Sequence, residues 1–286
     1  MNKLALRGEL LLLLATFLAA VGWIASKQII TQVPASAFIS ARFLLASLIL
    51  LPFCLSQLRE LRAKQLFSIC AVGVVLAACI QLYVYAISMS SSLSEGAFIM
   101  SLAMLIAPFT SWLLFGVTPN RAFWLALPIA VVGMLLLILS NGWQIEQSQW
   151  YFLLASTLLS LHFVLNKRLT TNIKPLSSIS LQLFVVGLGG LLIVLLEQPQ
   201  AFEVSKQTLI WFAISTVIAT ALRYLMQTVG QCSVKIETAS LIMILEPVWT
   251  LMLSIGLLSE VIEPQKLLGG ATILLSLFVY IKLSQS

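Results

Sequence analysis

The sequence predicts an all-α integral membrane protein whose ten transmembrane helices form two inverted five-helix repeats. The prediction rests on the apolar composition, on the spacing of the apolar segments and on a residue pattern that recurs in both halves. Hydrophobic residues make up 60% of the 286 residues and charged residues only 9%, and the mean hydropathy is +1.05. Because a soluble domain is about a quarter charged, this chain has too few charges to cover a water-exposed surface.

Ten apolar segments, bounded by charged residues, Gly or Pro, give the predicted membrane spans. A bilayer core of about 30 Å takes about 20 apolar residues per helix, and the spans must be helical because a lipid-exposed backbone has to satisfy its own polar groups. Residues 1–22 resemble a signal peptide, but nine more apolar segments follow, so we interpret them as part of a retained first helix. The predicted spans are Leu10–Ile30, Ala35–Leu55, Leu66–Ser88, Ala97–Val117, Ala122–Leu139, Trp150–Leu169, Leu176–Leu196, Leu209–Val229, Thr238–Leu258 and Leu267–Ile281.

Positively charged residues give the predicted orientation. If the N-terminus is cytoplasmic, eleven Lys and Arg residues fall on the inner side and three, Lys27, Lys206 and Lys266, on the outer side, while Arg42 and Arg223 lie within spans. This strong positive-inside bias predicts that both termini are cytoplasmic. The cations are scattered between apolar runs and form no stripe with interleaved aromatic residues, so we expect no nucleic-acid partner.

A recurring pattern divides the chain into two halves. The segment 23–34 (WIASKQIITQVP) contains an aromatic residue, Lys, Thr, an amide and Pro in that order, and the segment 163–175 (FVLNKRLTTNIKP) repeats the order. We therefore predict one five-helix repeat in residues 1–142 and a second in residues 143–286. Because five is odd, the second repeat enters the membrane from the opposite side, and two inverted halves suit alternating access.

Several short motifs resemble those of one known family. They are Ala41-Arg42-Phe43 in the second span, Ser94–Phe98 running to Pro108 in the fourth, Leu245-Glu246-Pro247 with Ser259-Glu260 in the ninth, and Leu268–Ala271 at the start of the tenth. With these motifs the chain resembles the EamA-type members of the drug/metabolite transporter superfamily over nearly its whole length. The resemblance implies ten helices in a five-plus-five inverted repeat and a solute exporter or exchanger of the cytoplasmic (inner) membrane. The first half departs from the pattern, with Ala107 at the position that would mirror Glu246.

The expected function is secondary transport of a small organic metabolite by alternating access. The sequence contains no Gly-x-x-x-x-Gly-Lys-Ser/Thr loop of a nucleotide-driven motor, and no His-Glu-x-x-His or Gly-x-Ser-x-Gly motif of an enzyme. The one histidine, His162, cannot form a multi-histidine metal site, so we expect no catalytic residues, no metal and no cofactor. A membrane sensor or assembly component without turnover is the main alternative, and a channel is a third. The expected partners are a small-molecule substrate and the lipid bilayer, and a homodimer is left open.

Three ionisable residues within spans are predicted to form one polar layer. With a helix rise of 1.5 Å per residue, Glu246 lies ~15 Å from the inner end of its span, and Arg223 and His162 lie ~12 Å from theirs. A Glu or Arg without a partner is very costly at that depth, which favours a shared pair or a water-filled pocket. A hydrogen-bonded clamp between helices is the alternative for Glu246, and neutral packing is the favoured interpretation of His162.

Three other charged residues have simpler explanations. Arg42 lies near the outer end of its span, where snorkelling to the interface is sufficient. Glu95 and Glu237 begin the fourth and ninth helices, where the positive end of the helix dipole favours a carboxylate. Because these two glutamates are predicted on opposite sides of the membrane, they are also candidate gating residues.

Aromatic and amide side chains near the polar layer are predicted to contact an organic substrate. Aromatic faces suit a flat or partly apolar metabolite, although interfacial belts and ordinary packing explain most membrane aromatics. The amides of Gln81 and Gln227 would add neutral hydrogen bonds. The predicted substrate-binding residues are Glu246, Arg223, Trp249, Tyr224, Gln227, Tyr85, Gln81, His162 and Trp23.

The charge bias predicts the side of the membrane on which each loop lies. In a variant without the four native cysteines, single cysteines beside Arg62 and Lys174 should resist a membrane-impermeant thiol reagent in intact cells. A cysteine beside Gln147 should react with the same reagent, because that loop is predicted outside. Protection of the Gln147 site would contradict both the count of ten spans and the inverted repeat.

Overall fold

The computed structural model describes residues 3–90, 93–138, 147–198, 203–258 and 264–284, and over these ranges the chain is helical with no β-strand. The predicted all-α class is therefore confirmed. The α-helices are α1 (Lys3–Ile30), α2 (Ala35–Leu50), α3 (Leu55–Arg59), α4 (Ala63–Met89), α5 (Leu93–Phe115), α6 (Arg121–Ile138), α7 (Gln147–Leu169), α8 (Pro175–Glu197), α9 (Lys206–Thr216), α10 (Arg223–Ser233), α11 (Ile236–Met243), α12 (Glu246–Leu258) and α13 (Pro264–Ser284).

The helices have the length and surface of membrane spans. Seven helical segments of the described chain are long and apolar enough to cross a membrane, and three shorter apolar helices are Ile99–Phe115, Arg121–Gly133 and Leu267–Tyr280. Their outer faces carry exposed apolar side chains, such as Leu113 (86% exposed) and Leu196 (76% exposed). Helices that are apolar on all faces are typical of chains surrounded by lipid, so this is a multi-pass membrane protein.

The ends of several helices follow local sequence signals. At the start of α6, Asn120 Oδ1 accepts a hydrogen bond from Phe123 N (2.8 Å), and at the start of α9, Ser205 Oγ accepts one from Thr208 N (3.2 Å). Such side chains satisfy backbone N–H groups that have no partner within the helix. Gly116 follows α5 with a φ of +66°, a left-handed conformation that ends the helix and that glycine adopts without strain.

The eighth and ninth predicted spans are not continuous α-helices. Between α9 and α10, Val217–Leu222 forms a π-helical segment that ends directly before Arg223. Between α11 and α12 the chain makes a two-residue turn, and α12 begins with Glu246. Pro247 has no N–H to donate to the carbonyl four residues earlier, which explains this second break. Both irregularities therefore place a charged side chain within a span.

The helix contacts are nearly the same when each helix is replaced by its counterpart in the other half. Helix α1 packs against α10, and its counterpart α7 packs against α4; likewise α1 packs against α12, and α7 against α5. Two pairs, α2 with α8 and α6 with α13, join helices that occupy equivalent places in the two halves. The contacts thus fit a two-repeat architecture. The boundary predicted between residues 142 and 143 lies outside the described residues.

Glycines bring α2 and α8 into close contact. A Cβ atom on Gly187 would lie 2.7 Å from Leu44 N, and one on Gly190 would lie 2.9 Å from Ser40 N. The hydroxyl of Ser40 donates a hydrogen bond to Gly187 O across the same interface (3.3 Å). Small residues allow such backbone approach between membrane helices, where dispersion and hydrogen bonds drive association.

Gly187→Ala should destabilise the fold, because the added methyl group meets the backbone of α2. Overpacking of this kind costs about 1 to 3 kcal/mol, and we expect a lower melting temperature in detergent. The matched control is Gly270→Ala in α13, where a Cβ meets nothing within 4 Å. Alanine is the better helix former by about 1 kcal/mol, so this control should be neutral or stabilising. Equal effects of the two substitutions would contradict the close α2–α8 contact.

Candidate functional site

A cavity lies between the two halves of the chain. Its volume is about 80 Å³, and helices α1, α2, α4 and α5 of the first half line it together with α7, α10, α11, α12 and the π-helical segment of the second. A buried water needs only about 10–15 Å³ of such space, so the cavity can hold several waters or a small organic group. Its wall includes three charged side chains, Arg42, Arg223 and Glu246.

Glu246 connects the two halves at the edge of this cavity. Its Oε1 accepts a hydrogen bond of 2.8 Å from Trp23 Nε1 on α1, and its Oε2 lies 3.5 Å from Arg223 Nη2 on α10. As the first residue of α12, the carboxylate also lies at the positive end of a helix dipole. The Trp23 bond is of normal length, whereas the ion pair is long. Glu246 is therefore held firmly by α1 and only loosely by Arg223.

Arg223 has few partners for a buried guanidinium. It follows the π-helical segment directly, and its Cζ lies 4.3 Å from the centre of the Tyr224 ring. Its Nε is buried and has no hydrogen-bond partner among the described residues. A guanidinium carries five N–H donors in a fixed fork, so Arg223 keeps donor capacity at the cavity wall.

Arg42 is a cavity residue that the sequence analysis explained by snorkelling. The structure shows a different arrangement, because the side chain turns inward and is only 7% exposed. Its Nη1 donates to Ser26 Oγ (3.1 Å), its Nη2 donates to Ala219 O (3.4 Å), and its Nε bonds to Thr220 Oγ1. Arg42 of the first half thus forms hydrogen bonds with the π-helical segment of the second half. The depth of a residue in its span says nothing about the direction of its side chain, which is why the sequence did not reveal this.

The aromatic wall contains Trp23, Phe43, Tyr83 and Tyr224. The rings of Trp23 and Tyr83 meet edge to face with their centres 4.9 Å apart, and Phe43 and Tyr224 meet similarly at 6.1 Å. Tyr83 was not among the predicted residues. Cys79, at i−4, lines the same cavity, and this helical spacing is the sequence signal that could have identified the inward face of α4.

Two predicted aromatic residues lie away from the cavity. Tyr85 is two residues beyond Tyr83, on the opposite face of α4; it is 50% exposed and packs against the ring of Tyr151 at 4.9 Å. Trp249 Nε1 donates a hydrogen bond to Thr16 Oγ1 (3.1 Å), and its ring contacts Phe17. The structure thus places both in helix packing.

His162 belongs to a buried polar network between α7, α8 and α10. Its Nε2 donates to Gln182 Oε1 (2.9 Å), Gln182 Nε2 donates to Asn166 Oδ1 (2.9 Å), and Asn166 Nδ2 donates to Gln231 Oε1 (2.9 Å). These residues do not line the cavity. The chain of hydrogen bonds fits the packing interpretation of His162, although His162 Nδ1 and Gln231 Nε2 are buried without a hydrogen-bond partner among the described residues.

The remaining predicted residues occupy other places. Gln81 and Gln227 do not line the cavity, and each has one buried polar atom, Nε2 and Oε1 respectively, without a hydrogen-bond partner in the described part of the chain. Glu237 is buried in the first turn of α11, the helix start at which it was predicted. Glu95 lies in α5, but its side chain lies outside the described residues. The described chain has no group of three His, Cys, Asp or Glu residues that could hold a metal ion.

Comparisons with known proteins identify the family. The model of the EamA-like transporter family matches the chain twice, at residues 6–139 and 148–282. No curated protein matches it. A crystal structure of another protein has a similar fold, with a TM-score of 0.79 over 100% of this chain and 98% of that chain, at 14% sequence identity. The two family matches cover almost the whole sequence, one on each half, and the chain belongs to the EamA-like transporter family.

Proposed function

We propose that the protein is a secondary transporter that moves a small organic metabolite across the cytoplasmic (inner) membrane by alternating access. Membership of the EamA-like transporter family supports membrane transport of a small molecule. The observation that carries the finer proposal is the cavity between the halves, where charged and aromatic side chains converge next to two helix irregularities. Pockets with an apolar wall and a few convergent polar groups are typical of small-molecule sites.

The proposed topology has ten spans, with both termini in the cytoplasm. In it the three shorter apolar helices cross the membrane together with the seven longer segments. Residues 1–142 and 143–286 then form inverted halves, and the exchange of helix contacts between the halves supports this arrangement. Rocking of one half against the other would open the cavity to each side in turn. Export or exchange is the proposed mode of transport.

The long ion pair is the proposed movable part of the site. Arg223 and Glu246 lie on different helices, each beside an irregular backbone segment, and their charged atoms are 3.5 Å apart. A substrate that binds Arg223 would separate the pair while Trp23 continues to hold the carboxylate. Irregular backbone within membrane helices is tolerated where it is buried in protein or lines a cavity, and it is a common position for transporter sites.

Glu246→Gln should insert into the membrane normally and lose transport, because the substitution removes the charge that faces Arg223. Arg223 then has no charged partner to return to when the substrate leaves, so we expect counterflow at least about tenfold slower, which corresponds to about 1.4 kcal/mol. The assay uses proteoliposomes and the labelled metabolite that most stabilises the purified protein in a thermal-shift screen. The matched control is Glu197→Gln, which changes an exposed glutamate at the end of α8.

Three results would contradict parts of this proposal. Near-normal counterflow by Glu246→Gln would indicate that Glu246 is a structural clamp between helices beside Pro247 and has no role in transport. A wild-type protein that binds a solute but never exchanges it would favour the alternative of a membrane sensor or assembly component. Flux that does not respond to unlabelled solute on the other side would favour a channel.

Tyr83 and Tyr85 form a matched pair for testing the position of the binding site. Tyr83→Ala should weaken binding of the stabilising metabolite about two- to tenfold, because a lost aromatic contact is worth about 0.5 to 1.5 kcal/mol. Tyr85→Ala should leave the dissociation constant unchanged, since that ring lies against Tyr151 on the opposite face. Isothermal titration in detergent measures both. A larger loss for Tyr85→Ala would place the site elsewhere.

A further inference from the structure

We propose, on the basis of the transport function above, that the substrate is an organic anion with one carboxylate group, which Arg42 and Arg223 bind from opposite halves of the chain. Both guanidinium groups line the cavity, one on α2 and the other on α10. Arg42 lies over the Phe43 ring (5.6 Å) and Arg223 over the Tyr224 ring (4.3 Å). The centres of these two rings are 6.1 Å apart, so the two like charges face the same small space. An anion between them would remove their repulsion.

The charges on the cavity wall do not cancel. Among the described residues that line it, Arg42 and Arg223 are positive and Glu246 is negative, while Cys79 and the tyrosines are uncharged near neutral pH. The described wall therefore has a net charge of +1. Both arginines are buried, an unbalanced buried charge is costly, and a bound substrate with one negative charge would balance it.

Arg42 is the cation that lacks a negative partner. Its hydrogen bonds go to the hydroxyls of Ser26 and Thr220 and to the carbonyl of Ala219, which are all neutral groups. Within the described chain no carboxylate forms an ion pair with it. These bonds fix the position of the guanidinium without neutralising it, as a preorganised anion site requires.

Arg223 has donors to spare for the same ligand. Its nearest carboxylate oxygen, on Glu246, is 3.5 Å away, and that carboxylate already receives a 2.8 Å hydrogen bond from Trp23. Of the five N–H donors of Arg223, one on Nη2 reaches that carboxylate, and the side chain lines the cavity. The guanidinium fork matches a carboxylate or phosphate, often through two parallel hydrogen bonds.

The net charge and the wall composition narrow the ligand further. A single carboxylate matches a charge of +1, whereas a phosphate monoester at neutral pH brings nearly two negative charges, and an amino acid is neutral overall. Apart from Ser101, the rest of the described wall is mainly apolar or aromatic, including Trp23, Phe43, Tyr83, Met100 and Met104. The expected ligand therefore has one carboxylate on an apolar body.

A charge series on one molecular frame tests this assignment with the purified wild-type protein. The probes are 3-phenylpropionate, its neutral amide, 2-phenylethylamine, phenylalanine and 2-phenylethyl phosphate. A smaller series of butyrate, butyramide and butylamine covers the case in which the ring is too large. Because hydrogen bonds to charged groups are worth about 1.5 to 3 kcal/mol, we expect the carboxylate to bind at least about tenfold more tightly than the amide.

Variants assign the preference to Arg42. In Arg42→Gln the dissociation constant of the carboxylate should rise at least about tenfold while that of the amide stays constant. Arg42→Lys keeps the charge and should keep the preference for the anion. Arg121→Gln, which removes an exposed arginine at the start of α6, should behave as wild type. If Arg42→Gln does not fold, the charge series on wild type and Arg42→Lys still decides the question.

The outcomes separate this inference from the transport proposal. Absence of a preference for the carboxylate in both series, including absence of any binding, overturns the anion assignment. If phenylalanine or the phosphate binds more tightly than 3-phenylpropionate, the inference that the ligand carries one negative charge is overturned. Counterflow of an amine or neutral solute that carboxylates do not inhibit would also overturn the inference and leave transport intact. Binding of carboxylates without counterflow would support the anion site and overturn the transport proposal.

Discussion

A carboxylate inside a lipid-surrounded helix bundle is costly unless protein groups or cavity water take the place of bulk water around it. Glu246 has three such groups: the indole N–H of Trp23, the guanidinium of Arg223 and the N-terminus of α12. Each depends on a different feature of the fold, namely the contact between α1 and α12, the π-helical segment before Arg223, and the break that Pro247 imposes. The requirements of one side chain therefore connect helices that otherwise meet through apolar surfaces.

The two backbone irregularities explain why the charged side chains can meet in a cavity. A regular helix satisfies its own backbone and presents only side chains, whereas the π-helical segment at Val217–Leu222 offers Ala219 O and Thr220 Oγ1 to Arg42. The turn before Glu246 creates a helix N-terminus within the span. Such features reduce regular hydrogen bonding, and they persist where ligand or cavity groups complete it.

Composition and span length were sufficient to predict the class of the fold, and the described helices begin and end within a few residues of most predicted spans. Side-chain direction was not predictable in the same way. In a soluble protein the apolar stripe marks the inward face of a helix, but these helices are apolar on all faces because lipid and protein core are both apolar. For this reason Tyr85 and Trp249 were predicted near the polar layer, whereas the structure places Tyr83 at the cavity wall and those two residues in helix packing. Pro247 signalled a bend in the ninth span, but no residue in the eighth signals the π-helical segment.

The links between the halves run in both directions. Arg42 of the first half bonds to the π-helical segment of the second, and Glu246 of the second half bonds to Trp23 of the first. The helix contacts of the two halves are almost equivalent, but the charged residues are not. Ala107 occupies the first-half position that corresponds to Glu246 in the second half. Any movement of one half against the other must therefore rearrange a cationic link and an anionic link of different strength. The proposed anion, bound by both arginines, would itself become a third link, so its release and the movement of the halves would be energetically coupled.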